Sequence, residues 1–217
     1  MKCLLKCPYK LILFAAVILV TASCATSYRV DVTGYSDPVR SSALVPGRKV
    51  FVVHNPEADN PLLEKEVASK IATLLEQEGY RVSSNEDVGF RLTFNYGMDR
   101  GPVRIGSIRR PQTIKTYDPD TGKTSYTSVD TYEPLSVQYF TRSLSVRVID
   151  GHKFRESGQK EVVWAADTLS EGKSADLRDV LNYLLVATFE YFGQDTGKAI
   201  SVRLTPTDSR IVYLKGK

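Results

Sequence analysis

The hydrophobic residues between Asn60 and Gly79 recur at the spacing of one helix face. Asn60 is a residue type preferred at the N-cap, Pro61 suits the first helical position, and Gly79 is typical of a helix end. The apolar stripe consists of Leu63, Val67, Ile71, Leu74 and Leu75. Charged residues occupy most of the other face, so the pattern predicts an amphipathic helix with one buried side.

A second helical pattern follows Ser174, which is the predicted N-cap. Asp176 and Asp179 fall in the first turn, where the helix dipole favours acidic side chains, and Gly193 ends the pattern. The inward-facing positions are Leu177, Leu181, Leu184, Thr188 and Phe192. These features predict a second amphipathic helix.

Five segments have the pattern of strands. Lys49–His54 is a short apolar run rich in β-branched residues, and the segments 90–96, 143–148, 162–166 and 200–204 alternate between apolar and polar residues. Alternation indicates a sheet with one packed and one solvated face, which is the habit of antiparallel sheets. The predicted fold class is therefore α+β: an antiparallel sheet with two amphipathic helices packed on one face, plus a polar β-hairpin insertion.

The predicted insertion spans residues 98–138. Its turn lies in Tyr117–Thr124, where Asp-Pro-Asp-Thr-Gly-Lys is rich in turn residues and Gly122 suits a left-handed conformation. Threonine and tyrosine residues on either side suit two extended arms. We therefore predict a hairpin that projects from an otherwise single domain.

The first residues of the chain have the pattern of a bacterial lipoprotein signal. Lys2, Lys6 and Lys10 form a positive region, an apolar run covers 11–20, and small residues precede Cys24. The apolar run is about half the roughly 20 residues that a membrane-spanning helix needs. We predict a signal peptide over 1–23, a lipidated Cys24 with a tether over 24–48, and one domain over 49–217. An ordinary secretory signal cut near Ser23 is the alternative.

Lipidation would attach a diacylglycerol and an acyl chain such as palmitate to Cys24, which is a stable membrane anchor. Ala25 follows the cysteine instead of Asp. In enterobacterial lipoproteins that pattern implies sorting to the outer membrane. The expected location is therefore the outer membrane, lipid-anchored and facing the periplasm.

Cysteine content and charge exclude several classes of function. The three cysteines are Cys3, Cys7 and Cys24, so a domain after Cys24 has no disulfide, zinc–thiolate site or cysteine nucleophile. The formal net charge is +4, but removal of the signal lysines leaves 26 basic and 25 acidic residues. That balance gives no nucleic-acid footprint, so no nucleic-acid partner is predicted.

No motif in the sequence indicates an enzyme, a metal or a cofactor. The acidic pair Asp118 and Asp120 lacks the glycine and glutamate positions of a calcium loop, so a turn explains it better. His54 and His152 are the only histidines, and neither has a nucleophile motif near it. We therefore expect a protein that is not an enzyme and holds neither a cofactor nor a metal.

Two basic surfaces are candidates for binding a partner. Between Met98 and Thr116, the first part of the insertion, five basic residues are accompanied by one acidic residue, Asp99. Three arginines also share the predicted open face of the sheet. The insertion also carries tyrosines, which give a large contact area at low entropic cost. The candidate partner-binding residues are Arg100, Arg104, Arg109, Arg110, Tyr117 and Tyr126 in the insertion, and Arg91, Arg147 and Arg203 on the sheet face. A solvated loop and an ordinary wet sheet face are the alternatives.

Taken in order, several motifs resemble a family of bacterial lipoproteins that carry domain of unknown function 4136. The motifs are Ser23-Cys-Ala25, Tyr28-Arg-Val-Asp-Val32, Leu75–Val82, Phe90–Gly97, Arg142–Asp150, Val163-Trp164 and Gln194–Lys198. The family usually has Ala-Asp where this chain has Val88-Gly89. The resemblance implies an α+β, periplasm-facing domain on an outer-membrane anchor, and it implies no reaction.

The sequence thus favours a non-enzymatic lipoprotein of the cell envelope that binds or assembles with a partner. The chain is expected to contact the membrane through the lipid on Cys24. The further expected partner is an envelope protein or a glycolipid such as lipopolysaccharide. Two alternatives stay open: a periplasmic envelope hydrolase that uses His54 or His152, and a carrier of a small apolar ligand between helices and sheet.

Overall fold

The computed structural model describes residues 27–216. The strands are β1 (Tyr28–Ser36), β2 (Lys49–Val52), β3 (Arg81–Val82), β4 (Phe90–Tyr117), β5 (Thr124–Asp150), β6 (Val162–Gly172) and β7 (Ile200–Leu204). The helices of this part of the chain are α1 (Pro61–Gln77), α2 (Gly151–Ser157), α3 (Leu177–Glu190) and α4 (Ser209–Lys215), with a 3₁₀ turn at Ser41–Ala43.

The seven strands form one mixed sheet in the order β3-β2-β4-β5-β6-β1-β7. Strand β2 runs parallel to both β3 and β4, and the remaining pairs are antiparallel. Strands make up 45% and helices 25% of the described structure, so the fold is mostly β. The predicted α+β fold, with an antiparallel sheet and two helices, is therefore wrong.

The physical reasons for this error are local. Helix α1 carries the chain back across the sheet between β2 and β4, and such a crossover places the next strand parallel to the first. Alternation of apolar and polar residues is the same for a half-buried strand of either direction, so it did not reveal the parallel pairs. Helices α2 and α4 have seven residues each, which is too short for a recognisable apolar stripe.

Strand β1 lies in the segment that was predicted to be a tether. It pairs with β6 on one side and β7 on the other, and Val30 and Val32 are completely buried. Residues 28–36 of the predicted tether (24–48) are therefore a strand of the sheet and not part of a tether. Turn residues such as Pro38 and Pro46 come soon after this strand in the sequence. They made the short apolar–polar alternation of the strand difficult to recognise.

The hydrophobic core lies between the sheet and helices α1, α3 and α4. Asn60 caps α1 as predicted, because its side chain accepts a hydrogen bond from the Leu63 amide at 3.0 Å. Helix α3 is capped by Asp176, which accepts from the Asp179 amide at 3.0 Å, so the prediction of Ser174 as N-cap is wrong. The largest fully buried side chain is Trp164 on β6.

Candidate functional site

Strands β4 and β5 continue far beyond the sheet as a two-stranded hairpin. β6 stops pairing with β5 at Phe140–Gly172, whereas the β4–β5 ladder runs on to Tyr117–Thr124. We call residues 101–139 the arm. Its 17 residues from Gly101 to Tyr117 span about 55 Å at the usual rise of a strand. The rest of the described chain has a radius of gyration of about 15 Å by chain-length scaling, so the arm is longer than the body is wide.

The arm is covered by no other part of the described chain. Every residue from Pro102 to Asp130 is exposed. The tip is a turn held by Asp118, whose carboxylate accepts bonds from the Asp120 and Thr121 amides at 3.0 and 3.3 Å and from the Thr121 hydroxyl at 2.6 Å. The Thr121 hydroxyl and these amides lower the pKa of Asp118. Gly122 takes φ +64°, as the turn prediction requires.

The register of the arm sorts its side chains onto two faces. Cross-strand partners such as Lys115 and Tyr126 lie on the same face, and the next pair lies on the other. One face, the tyrosine face, carries Ile105, Arg109, Lys115, Tyr117, Tyr126 and Tyr132. The other, the aliphatic face, carries Ile108, Arg110, Ile114, Val129, Glu133 and Leu135. The insertion is therefore less polar than predicted. It exposes a row of apolar residues, which is unfavourable for a ribbon that stays fully solvated.

The predicted arginines of the insertion are spread along the arm. Arg109 pairs with Asp130 at 2.7 Å and Arg110 with Glu133 at 2.5 Å across the two strands. Arg104 lies near the base, where it contacts Glu171 of β6 at 3.2 Å and stacks over the Tyr139 ring at 4.3 Å. These ion pairs are more than half exposed on the arginine side, so each cation can still contact a partner.

Arg100 stands apart from these three. It lies opposite Phe140, just before a register shift between Arg100 and Val103. Residues on the β4 side therefore change face between the sheet and the arm, because an extra residue displaces the alternation.

The second predicted surface, the open face of the sheet, does not bring its three arginines together. Arg91 packs over the Phe154 ring at 4.6 Å and pairs with Glu86 at 2.7 Å, so its side chain is largely buried. Arg147 lies 3.9 Å from Asp167. Arg203 lies opposite Arg29 of β1. Strand spacing and rise place it roughly 25 Å from Arg147. A continuous arginine platform is therefore not formed.

At the base of the arm, the structure contains a buried arginine that is not among the candidate residues predicted from the sequence. Arg142 is 1% exposed, and its Nη1 donates to the Phe140 carbonyl at 2.9 Å, while its Nε has no hydrogen-bond partner. Burial lowers the pKa of Arg142, and Tyr28 nearby acts in the opposite direction. The signal was present in the sequence, because Arg142 occupies the same alternating positions as the inward-facing Leu144 and Val146.

Two open clefts flank the body. The helix-side cleft, of about 800 Å³, lies between α1, α3 and β4. Its lining is mixed: Leu63, Phe94, Tyr96 and Leu177 are apolar or aromatic, and Asn55, Glu57, Asp59, Asn60, Glu64 and Asn95 are polar. Burial, with Glu64 beside it, raises the pKa of Tyr96 to about 12. The second cleft, of about 540 Å³, is lined by Arg40, Arg48, Lys49, Arg81 and His152 among others. Arg40 is itself paired with Glu161.

The two histidines are both exposed: His54 lies just after β2, and His152 lies in α2. His152 lines the second cleft, and its Nδ1 lies 2.7 Å from an Arg155 guanidinium nitrogen. No group of three or more metal-ligating side chains is present within residues 27–216. In the same range, no helix is both long enough and apolar enough to span a membrane. Cys24, the predicted site of lipidation, lies outside the described residues.

Comparisons with known proteins give only distant likenesses. No protein-family model matches the sequence, and no curated protein matches it. A PDZ domain protein from Parabacteroides distasonis is similar over 89% of this chain and 42% of its own, with 14% identity and a TM-score of 0.50. PelC from Paraburkholderia phytofirmans, solved as a dodecamer, is similar over 73% of this chain and 93% of its own, with 16% identity and a TM-score of 0.38.

The chain thus spans less than half the length of the PDZ domain protein. That likeness concerns the fold alone, and the likeness to PelC is too distant to bear on fold or function.

Proposed function

We propose that this chain is a non-enzymatic bacterial lipoprotein, anchored in the outer membrane through Cys24, that binds a partner in the cell envelope through its arm. The resemblance to lipoproteins with domain of unknown function 4136 belongs to the same proposal. The single observation that carries the binding role is the arm: about 55 Å of ribbon on which every residue from 102 to 130 is exposed.

Stability favours a bound arm over a free one. An isolated two-stranded hairpin is at best marginally stable in water, and it gains independent stability when a third strand or another surface packs on it. Ile105, Ile108 and Ile114 are 82%, 41% and 48% exposed on the arm, so apolar surface is available for such packing. A partner that covers this surface would stabilise the arm and be held by it.

The anchor supports the same function. The signal pattern before Cys24 predicts acyl chains at the start of the mature chain, which hold the body beside a membrane. Since the arm is longer than the body, it can reach molecules well away from the anchoring point.

The carrier hypothesis has one specific observation in its favour. Part of the lining of the helix-side cleft is apolar, and there the Phe94 and Tyr96 rings lie 6.3 Å apart and nearly parallel. It is open, however, and the interior between sheet and helices is filled by the core. A small apolar ligand would therefore bind at the cleft mouth, and a Tyr96→Ala variant that retains every bound ligand from the native envelope would exclude this function. No comparable observation favours the hydrolase.

Site-specific photocrosslinking in intact cells tests the binding role. A photoreactive residue is placed at Tyr126 on the arm, at Arg147 on the open sheet face, and at Val212 on α4 as a control that is also exposed. We expect discrete adducts from Tyr126 and none from Val212. Equal, diffuse labelling from both positions would contradict a binding arm, and adducts from Arg147 alone would move the function to the sheet face.

The anchor requires a separate measurement. Mass spectrometry of the N-terminal peptide should find Cys24 as the first residue with a diacylglycerol and an amide-linked acyl chain, and a Cys24→Ser variant should leave the membrane fraction. A mature chain that begins elsewhere, or that carries a free thiol at Cys24, would overturn the proposed location.

A further inference from the structure

The two edges of the arm indicate which molecule binds it. We infer that the arm pairs edge to edge with the arm of a second copy of this chain, an inference that rests on the proposed binding role of the arm. The β4 limb (101–117) of one copy lies against the β5 limb (124–139) of the next.

Both edges of the arm are open for hydrogen bonding. On the outer side of β4, the ladder with β2 ends at Val52–Leu92, so this edge is free from residue 93 to the tip. On the outer side of β5, the ladder with β6 begins at Phe140, so this edge is free over 124–139. Unpaired backbone groups on a strand edge are a template for another strand.

The charges of the two limbs are complementary. The β4 limb carries Arg104, Arg109, Arg110 and Lys115 and no acidic residue. The β5 limb carries Asp130 and Glu133 and no basic residue. A β4 limb beside a foreign β5 limb therefore repeats the base-to-acid contacts that already exist within one arm, at 2.7 and 2.5 Å. Two β4 limbs side by side would instead place bases against bases.

This complementarity fixes the type of assembly. Because the two edges differ, the contact is heterologous, and each copy that joins leaves a new edge free for the next. Arms that point the same way place β5 of one copy antiparallel to β4 of its neighbour, which is the direction of the ladder within the arm. The predicted product is a curved series of copies, larger than a dimer, with the arms side by side and the bodies on the outer side, because two strand spacings of about 10 Å are narrower than one body.

The tyrosines of the arm fit the same arrangement. Tyr126 lies opposite Lys115 and Tyr132 opposite Arg109 within one arm. In the series, the β4 limb of a neighbour flanks the other side of each tyrosine with the same basic side chains. A cation and a neighbouring aromatic ring attract each other, so pairing between copies is favourable on the tyrosine face as well.

Prolines limit where the edges pair. Pro111 in the β4 limb and Pro134 in the β5 limb lack an N–H donor. The longest stretches without proline are 103–110 on β4 and 124–133 on β5. These interruptions restrict the register and prevent indiscriminate pairing with other exposed strands.

A membrane surface fits the arm less well than a second copy. Arm residues 101–139 carry five basic and four acidic side chains, and the Arg110–Glu133 pair lies in the middle of the aliphatic face. An apolar face that enters lipid would leave that pair in an apolar medium, where charges are costly.

A charge-swapped arm tests the inference with the full-length chain. The swap combines Arg109→Glu, Arg110→Glu and Lys115→Glu with Asp130→Lys and Glu133→Lys, so that each arm keeps its internal ion pairs with reversed signs. Two differently tagged versions of each chain are produced together and purified through one tag. A matched thermal melt and circular dichroism spectrum verify that the swapped chain folds.

The expected result has three parts. Natural copies capture natural copies, swapped copies capture swapped copies, and the mixed pair yields at least tenfold less capture than either matched pair. Cross-linked species larger than a dimer should appear for both matched pairs. A monomeric natural chain at every concentration, including on lipid vesicles, would overturn the inference, and so would free mixing of natural and swapped copies.

This outcome is separable from the fate of the proposed function. If the chain stays monomeric while Tyr126 still crosslinks to another molecule in cells, self-pairing is wrong and the binding arm stands. If Tyr126 captures nothing, the binding role fails as well.

Discussion

Replacing Arg142 with methionine should stabilise this protein. Arg142 as a whole is 1% exposed in the described part of the chain. Its Nη1 donates to the Phe140 carbonyl, and its Nε has no partner. No carboxylate pairs with Arg142 in the described part of the chain. Methionine keeps an unbranched, flexible stem that matches the arginine stem as far as Nε, and it removes both the charge and the unpaired donor.

The magnitude follows from the polar groups that the change removes. A buried donor without a partner costs about 1–3 kcal/mol, and the buried charge adds a desolvation cost. Loss of the single bond to Phe140 offsets about 1 kcal/mol of the gain. We therefore expect the free energy of unfolding to rise by about 2 kcal/mol. For a domain of this size that corresponds to a melting temperature about 4–8 °C higher.

Chemical denaturation of the natural and Arg142→Met chains measures the difference. Arg203→Met is the matched control, because Arg203 is exposed on β7 and its replacement should change stability by less than about 0.5 kcal/mol. A destabilisation of 1 kcal/mol or more by Arg142→Met, with an unaffected control, would refute the reasoning. It would show that the guanidinium is fully satisfied in solution.

Three further predictions concern the body. Burial alone would raise the pKa of Glu66, but bonds from Arg178 and Lys70 outweigh burial and lower this pKa. The free energy of unfolding should therefore fall as the pH drops below about 5. Denaturation at several pH values should show a shallower fall for Glu66→Gln. Trp164→Ala should cost about 3–5 kcal/mol in urea denaturation, since the ring is completely buried, and an unchanged midpoint would contradict its core position. Gly34→Ala should lower the melting temperature, because the added methyl would lie 2.6 Å from a backbone oxygen; an equal or higher value would show that the loop yields freely.

The helix α1 illustrates what the sequence could predict. Its stripe, its N-cap at Asn60 and its end near Gly79 are local features, and the structure has a helix over Pro61–Gln77 with that cap. Core strands with alternating residues were equally visible. Local chemistry determines such elements, so one sequence is enough to find them.

The arrangement of the strands depends on contacts that the local pattern does not record. β1 is a strand because it lies between β6 and β7, more than a hundred residues away in the chain. The parallel position of β2 likewise depends on the path of α1. Both belong to tertiary structure, and the antiparallel prediction failed there.

The candidate site was predicted in part. Turn residues 117–124 and the β-branched residues of 98–138 indicated a hairpin, and the structure has one. Its length as an uncovered arm was not evident, because the register shift after Arg100 breaks the alternation that would link it to β4. Arg203 was grouped with Arg147 because both lie on the same face, which ignores the two strands, β6 and β1, that separate β5 from β7.

Hydrogen exchange of the arm amides tests the central claim that the arm is a binding surface. The chain is measured in its native envelope membranes and, as a reference, purified and dilute. We expect the amides of 103–110 and 124–133 to be strongly protected in the membranes and to exchange rapidly in the dilute protein, whereas the α1 and α3 amides are protected in both. Arm amides that exchange equally fast in native membranes would contradict the account, because a surface that binds a partner cannot stay uncovered there.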